Sequence, residues 1–291
     1  MREKRARFAV GAAPLAATRS VGPLTLAYDD EGDGPPVVCL HAIGHGARDY
    51  EEFRARMRKH HRVIALDWPW HGRSSNDVER PTIGRFADVL ESFLDSMGIE
   101  RAVLVGNSIG GGAAIRFASR FPGRVRALVL ANPAGLDPPD LVARAAIASV
   151  VRMYRAGEAR ARWFSPAFAA YYRVVLPRAA AHPQRARILE AGLEMAPMLA
   201  DAWEGFASPE QDLRALGPTI TRPTLFAWAM KDAFVQLARN RPAISNFMDY
   251  RLETFAAGHS PHLETPDEFC DSFQRFMGEV DALERNRSLA S

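Results

Sequence analysis

The chain has 291 residues, of which 47% are hydrophobic and 24% are charged, and these values are typical of a globular protein rather than a disordered or fibrous one. Its 37 basic and 34 acidic residues give a net charge of +3, and no stripe of basic and aromatic residues is present, so we expect no nucleic-acid partner. No apolar run approaches the roughly 18 residues that a transmembrane helix needs, so we expect no membrane partner.

Residues 1–19 are predicted to form an N-terminal extension outside the folded core. Their basic residues and short apolar stretch resemble a signal peptide only weakly, because Gly11 and Pro14 interrupt the apolar part. The only cysteines, Cys39 and Cys270, lie at predicted core positions, which favours two reduced buried thiols over a disulfide. These features favour a cytoplasmic protein over a secreted one.

Short runs of Val, Leu and Ile alternate with helical patterns in the first half of the chain. This alternation predicts an α/β fold with a mostly parallel central sheet flanked by helices. The predicted strands are 24–28, 37–41, 63–67, 101–105 and 125–131, and the predicted helices are 50–59, 82–97 and 113–120.

From residue 135 to residue 222 the alternation stops, and the pattern is helical and rich in aromatic residues. Strands resume at 224–229 and 250–255, and a last helix covers 267–277. We therefore predict a core domain made of 20–134 and 223–291, with a helical cap domain, 135–222, inserted into it.

The run Gly106-Asn107-Ser108-Ile109-Gly110 follows a predicted strand and opens a helical pattern. A residue at the centre of such a sharp turn has a strained backbone, and glycines two positions to either side remove side chains that would collide. The pattern predicts that Ser108 is a nucleophile. The alternative is a glycine-rich bend whose serine caps the following helix.

A serine hydroxyl needs a base, and usually an acid that orients the base. His259 follows the last predicted strand and Asp232 follows the strand before it, which places both at the sheet edge of Ser108. We therefore predict His259 as the base and Asp232 as the acid. His262 is the reserve base and Asp137 the reserve acid.

Two backbone amides, those of Ile43 and Ile109, are predicted to bind the oxyanion of a tetrahedral intermediate. Ile109 follows the nucleophile at a helix start, and Ile43 lies in the loop after the second predicted strand, at the same sheet edge. A rival interpretation of this loop is a metal site at His41, His45 and His71. No carboxylate or cysteine has matching spacing, so we expect no metal ion.

With these motifs the chain is identified as a member of the α/β-hydrolase superfamily, from about residue 24 to residue 277. The run around Ser108 resembles the nucleophile elbow, Asp67 to Ser74 resembles the D-x-x-G-x-G-x-S loop, and Gly258-His259 resembles the histidine loop. The asparagine before Ser108 and the second glycine after it most resemble esterases and the carbon-carbon bond hydrolases of aromatic ring degradation.

Three positions depart from the family's pattern. Ala42 stands where the family usually has the glycine of a His-Gly pair. Trp70 replaces the first glycine of the D-x-x-G loop, which puts a large ring near the expected pocket mouth. Ser260 stands where ring-fission hydrolases often carry a tryptophan.

The resemblance implies a cofactor-free serine hydrolase that cleaves a carboxylic ester or related acyl bond through an acyl-serine intermediate. A serine at the elbow argues against the family's haloalkane dehalogenases and epoxide hydrolases, which need a carboxylate nucleophile. The aromatic cap favours a small, largely apolar substrate, although these residues also suit simple packing of the cap. The candidate substrate contacts are Trp70, Trp163, Phe168, Trp203 and Phe206.

Other functions stay open. A carbon-carbon bond hydrolase of a ring-fission product would use the same triad and an arginine from the cap. A hydroxynitrile lyase or a cofactor-free oxygenase would use His259 as a plain base, and a non-catalytic receptor would bind its ligand in the same cavity. The sequence suits a monomer or a homodimer. The arginines available in the cap are Arg152, Arg155, Arg160, Arg162 and Arg173.

Overall fold

Eight strands form one sheet in the computed structural model, which describes residues 17–137 and 140–289. The strands are β1 (Ala17–Val21), β2 (Leu24–Glu31), β3 (Pro36–Leu40), β4 (Arg62–Leu66), β5 (Ala102–Asn107), β6 (Val125–Ala131), β7 (Thr224–Ala229) and β8 (Tyr250–Phe255). Their order across the sheet is β1-β2-β4-β3-β5-β6-β7-β8. β2 pairs antiparallel with β1 and β4, whereas the other neighbouring pairs are parallel, so the predicted fold class is confirmed.

Helices cover both faces of the sheet. In chain order they are α1 (Glu51–Met57), α2 (Ile83–Ser96), α3 (Ile109–Arg120), α4 (Leu141–Glu158), α5 (Phe164–Val175), α6 (His182–Gly205), α7 (Leu237–Ile244), α8 (Pro261–Glu264) and α9 (Pro266–Leu289). α1 and α9 contribute to the core on one face, and α2 and α3 to the core on the other.

Strand side chains alternate between these two cores. On β3, Val37 and Cys39 belong to the core beneath α1 and α9, while Val38 and Leu40 belong to the core beneath α2 and α3. Because both faces are covered by helices, the central strands are apolar along their whole length. This is why they are recognisable as continuous apolar runs in the sequence.

The chain between β6 and β7 is a helical insertion that contains α4, α5, α6 and short 3-10 helices. None of its described residues forms a strand. Phe168 lies at its centre and stacks on Phe164 with ring centroids 5.1 Å apart. A Cβ atom at Gly192 of α6 would lie 2.3 Å from the Phe168 ring, so the helices approach closely because residue 192 has no side chain.

Most predicted segments differ from the structure by a few residues at their ends, and the differences at the two ends of the chain are larger. Residues 17–19, predicted to belong to the extension, form the start of β1, and residues 1–16 lie outside the described residues. β1 escaped prediction because it is an edge strand with four exposed residues, held by backbone pairing with β2 rather than by an apolar pattern. The last helix, α9, continues to Leu289 instead of ending at residue 277.

The two cysteines, Cys39 and Cys270, are free and buried, as predicted. In the part of the chain that the structure describes, no helix has both the length and the apolar composition needed to cross a membrane.

Candidate active site

Ser108 occupies the turn between β5 and α3 with φ 53° and ψ −120°, a backbone conformation that residues other than glycine rarely adopt. A Cβ atom at position 106 would lie 2.6 Å from the carbonyl oxygen of Gly110, and one at position 110 would lie 2.3 Å from the carbonyl oxygen of Leu40. Both positions therefore require glycine. Although Ser108 is the N-cap residue of α3, its side chain makes no capping hydrogen bond, contrary to the alternative of a simple helix cap.

Gly110→Ala is expected to lower the free energy of unfolding by about 3 kcal/mol, because the added methyl group overlaps the backbone of β3 and neither element can move freely. Urea denaturation of the variant and the parent protein measures this difference. Gly84→Ala in α2 is the control: its nearest neighbour atom would be 3.8 Å away, so its effect stays within about 1 kcal/mol. Equal denaturation midpoints for Gly110→Ala and the parent protein would contradict the expectation.

His259 and Asp232 are hydrogen-bonded to each other at the carboxyl edge of the sheet. The Nδ1–H of His259 donates to Asp232 Oδ2 over 2.6 Å, and both residues are buried. Burial opposes protonation of the imidazole, but the negative charges of Asp232 and Glu264 outweigh it, so the pKa of His259 is raised above its usual value. Because Nδ1 is engaged, Nε2 is the nitrogen left to act as a base.

Asn132, which sequence reasoning missed, fixes the position of Asp232. It is the first residue after β6, and its side-chain amide donates to Asp232 Oδ2 over 2.7 Å. Its side-chain oxygen accepts the N–H of Ala229 over 2.7 Å. The other Asp232 oxygen accepts the N–H groups of Phe234 (2.8 Å) and Val235 (3.0 Å), so the carboxylate is held on both sides. In the sequence, the signal that could have identified Asn132 is a polar residue at the end of a buried strand.

Asn107 joins the turn of Ser108 to the loop of His259. Its side-chain amide donates to the backbone oxygens of Ala131 (2.9 Å) and His259 (3.0 Å). Its side-chain oxygen accepts the hydroxyl of Ser260 over 2.9 Å. The serine that departs from the family's pattern at position 260 therefore has a partner directly beside the candidate nucleophile.

The reserve residues have other roles. His262 is buried and stacks on Tyr50 with ring centroids 4.3 Å apart, and burial lowers its pKa to about 4. Asp137 accepts a hydrogen bond from Arg239 over 2.8 Å. Within the described residues, the ring of His259 has Asp232 as its hydrogen-bond partner and neither reserve acid nor reserve base bonds to it.

The amides of Ile43 and Ile109 lie at the ends of β3 and β5, on the same edge of the sheet. Among the described residues neither N–H has a protein acceptor, whereas the next amide of the first loop, that of Gly44, donates to His71 Nε2 over 2.9 Å. Ala42 is absent from the described residues with positive φ, so this position tolerates alanine without strain.

The histidines of the rival metal interpretation are engaged by the chain itself. Nδ1 of His41 donates to Ala42 O over 2.7 Å, and its Nε2 accepts the N–H of Trp68 over 3.0 Å. His71 is bound at both nitrogens in the same way, and burial lowers the pKa of His41 to about 3. His45 bonds to Asp49 over 2.5 Å. No group of three or more His, Cys, Asp or Glu residues in the described ranges is arranged to hold a metal ion.

Trp70 adopts φ 68° where the family's motif has a glycine. The left-handed conformation therefore persists although the residue has a side chain, at a cost of roughly 1 kcal/mol. Trp70 packs at the edge of the core, with its ring 6.5 Å from that of Phe86.

The four other candidate substrate contacts, which all lie in the helical insertion, fall into two groups. Trp163 is 49% exposed at the start of α5, and Phe168 is 1% exposed inside the helical insertion, so surface and packing roles fit them better than the predicted substrate contact. Trp203 and Phe206 are half-buried with rings 5.6 Å apart, and Trp203 lies 6.3 Å from Phe234, two residues after Asp232.

Comparison with known proteins identifies the family of the chain. The model of the alpha/beta hydrolase family matches residues 37–272. An uncharacterized protein of Mycobacterium tuberculosis is 26% identical over 302 residues, covering 95% of this chain and 85% of that protein. The 2-hydroxymuconate semialdehyde hydrolase of Pseudomonas sp. strain CF600 is 31% identical over 267 residues, covering 87% of this chain and 90% of that enzyme.

Among solved structures, a thermophilic esterase from Thermogutta terrifontis superimposes with a TM-score of 0.76 at 24% identity, covering 92% of this chain and 99% of the esterase. This likeness shows a common fold. Together with the family match over most of the chain, it confirms the resemblance inferred from the motifs. The chain belongs to the alpha/beta hydrolase family.

Proposed function

We propose that this hydrolase cleaves a carboxylic ester or related acyl bond of a small, largely apolar substrate, with Ser108 as nucleophile, His259 as base and Asp232 as orienting acid. The observation that carries the proposal is the hydrogen bond of 2.6 Å between His259 and Asp232, in a loop that Asn107 ties to the turn of Ser108. A buried carboxylate at Nδ1 fixes the tautomer in which Nε2 accepts a proton.

In the proposed reaction the Ser108 hydroxyl attacks the carbonyl carbon while His259 Nε2 takes its proton. The tetrahedral intermediate carries a negative oxygen, which the N–H groups of Ile43 and Ile109 bind. When the intermediate collapses, His259 returns the proton to the departing alcohol and an acyl-serine remains. Water, deprotonated by the same imidazole, then releases the acid and restores Ser108.

The helical insertion acts in this proposal as a cap over the site. Tyr172 of α5 supports this, because its hydroxyl oxygen would lie 3.1 Å from a Cβ atom at Gly44, next to the oxyanion candidate Ile43. Tyr171 lies 5.2 Å from Phe234 in the loop of the acid. Substrate selection is accordingly assigned to α5 and to the half-buried Trp203 and Phe206.

A carbon-carbon bond hydrolase is the second candidate, favoured by the similarity to 2-hydroxymuconate semialdehyde hydrolase. Under that hypothesis an arginine of the cap is expected to contact the substrate. Arg155 pairs instead with Glu158, Asp201 and Glu204 at the surface, and its pKa is raised by these hydrogen bonds. The other arginines predicted for this role are all exposed, so none of the five supports it: Arg152, Arg160, Arg162 and Arg173.

A paired assay separates the two candidates. The protein is offered p-nitrophenyl esters of increasing acyl length and, separately, a ring-fission dienoate with a vinylogous diketone. We expect ester turnover with a clear optimum in acyl length and no consumption of the dienoate. Consumption of the dienoate without turnover of any ester would replace the proposed function with carbon-carbon bond hydrolysis.

A further inference from the structure

Glu264, at the end of α8, holds the backbone of the histidine loop with a single carboxylate oxygen. Its Oε1 accepts the N–H groups of three consecutive residues, Gly258 (2.9 Å), His259 (2.9 Å) and Ser260 (3.1 Å). The residue is 2% exposed. Three successive amides that converge on one oxygen form a concave anion site made of backbone dipoles.

The charge of this carboxylate has no basic side chain beside it. None of the ion pairs formed by the described residues includes Glu264, and every hydrogen bond that it accepts there comes from a backbone N–H. The backbone dipoles therefore solvate the anion inside the protein. Its negative charge acts on the ring of His259, whose backbone N–H it accepts, and raises the pKa of that ring.

The second carboxylate oxygen of Glu264 reaches the helical insertion. Oε2 accepts the N–H of Arg178, in the segment between α5 and α6, over 3.3 Å. The same segment lies directly on the histidine loop, because a Cβ atom at Gly258 would be 2.2 Å from Pro177 Cδ and 2.5 Å from Val175 O. Gly258 thus permits the close approach of residues 175–178 to the histidine loop, and the hydrogen bond between Arg178 N–H and Glu264 stabilises this contact.

We propose that Glu264 is a positioning residue for His259: its carboxylate fixes the backbone of the histidine loop, places a second negative charge behind the imidazole and ties that loop to the helical insertion. This inference rests on the proposed function of His259 as the base. Asp232 holds the ring through Nδ1, and Glu264 holds the main chain that carries the ring. The two carboxylates together stabilise the imidazolium that forms when Ser108 loses its proton.

The electrostatic surroundings of His259 suit this role. Although burial opposes protonation, Asp232 and Glu264 raise the pKa of His259, whereas the buried His262 has its pKa lowered to about 4 and adds no charge near neutrality. Among the described residues, the titratable and charged groups near the ring and the loop include Asp232, Glu264, His262, Arg178, Lys231 and, beyond His262, the pair His45 and Asp49.

Glu264→Gln tests the charge, because glutamine keeps an oxygen for the three amides. In a Ser108→Ala background, the His259 ring is titrated by NMR, and its pKa is expected to fall by about 0.5 to 1 without the second carboxylate. Glu253→Gln is the control. Glu253 lies on β8 and forms an exposed ion pair with Arg275, so this variant removes an equal negative charge away from His259. A His259 pKa that is the same in Glu264→Gln as in the Ser108→Ala parent would overturn the electrostatic role.

The same variant with Ser108 intact gives a kinetic readout. Neutral His259 is the active form, so kcat/KM rises with pH through the pKa of His259, and in Glu264→Gln this rise is expected at a pH lower by the same amount. The NMR titration needs no substrate. Should Ser108→Ala retain full activity, the proposed function would fail while the NMR comparison still decides the role of Glu264.

Arg178→Pro tests the tie to the insertion, and it also serves where Glu264→Gln does not fold. Proline removes the N–H that Glu264 accepts, and the φ of −77° at residue 178 suits a proline ring. Arg178→Ala is the matched control, because it removes the side chain and keeps the N–H. We expect kcat/KM to be about 3- to 10-fold lower in Arg178→Pro than in Arg178→Ala, the equivalent of one hydrogen bond. Equal values for the two variants would show that the tie plays no part in catalysis.

Discussion

Ser108→Ala is expected to lower kcat for the best ester substrate by about 10⁴- to 10⁶-fold, because the variant has no group that can form the acyl intermediate. The fold should be retained, since alanine carries the same Cβ atom through the turn at φ 53° that serine does. The measurement is steady-state hydrolysis of the p-nitrophenyl ester, combined with labelling by a fluorophosphonate probe and peptide mapping. The parent protein should carry the label on the peptide that contains Ser108.

Ser119→Ala is the matched control for that experiment. Ser119 lies on the same helix, α3, and its hydroxyl bonds to Thr219 at the surface over 2.8 Å. This variant should keep both its activity and its label. Labelling that persists in Ser108→Ala would assign the nucleophile to another side chain and contradict the proposed mechanism.

Asp232→Asn is expected to lower kcat by about 10³- to 10⁴-fold and to leave KM nearly unchanged. The amide places its NH2 group either where Oδ2 meets the donors of His259 (2.6 Å) and Asn132 (2.7 Å), or where Oδ1 meets the N–H groups of Phe234 and Val235. Either orientation loses two hydrogen bonds, and the first removes the acceptor for His259. An amide donor at Nδ1 also favours the tautomer in which Nε2 carries the proton and is unable to accept another. Ester kinetics at the optimum pH of the parent protein measure the loss.

The reserve acid supplies the control. Asp137→Asn removes a carboxylate that pairs with Arg239, away from the histidine, and should leave ester hydrolysis within a factor of about two. If this variant lost more activity than Asp232→Asn, the acid would have to be reassigned to Asp137.

Sequence reasoning worked best where burial and chemistry leave a strong pattern. β6, β7 and β8 have the predicted limits, and β6 and β7 are mostly apolar runs between turns. β1 was missed, since edge strands need little apolar character, and so was α7, which contains Pro242 and charged residues. Helix limits such as the end of α9 depend on tertiary contacts that no local pattern records.

The residues of the candidate site likewise differ in whether the sequence alone identifies them. Ser108, Asp232 and His259 could be proposed from the sequence because residue types suited to a nucleophile, an acid and a base follow identifiable strands. Asn132 and Glu264 act through hydrogen bonds to other residues, and their partners lie far away in sequence or on the main chain. A residue type alone does not reveal such a role, so only the three-dimensional arrangement identifies them.

The helical insertion leaves the sheet after β6 and returns to it in β7, and these two strands are direct neighbours, with Ala131 opposite Ala227. The two ends of the insertion therefore join neighbouring strands, and the insertion can change without a change in the order of the strands. Under the proposed function, a relative with a different insertion would differ in substrate choice and keep the same sheet. The new insertion would need to keep its contacts with the histidine loop, which include the N–H of residue 178 that Glu264 accepts.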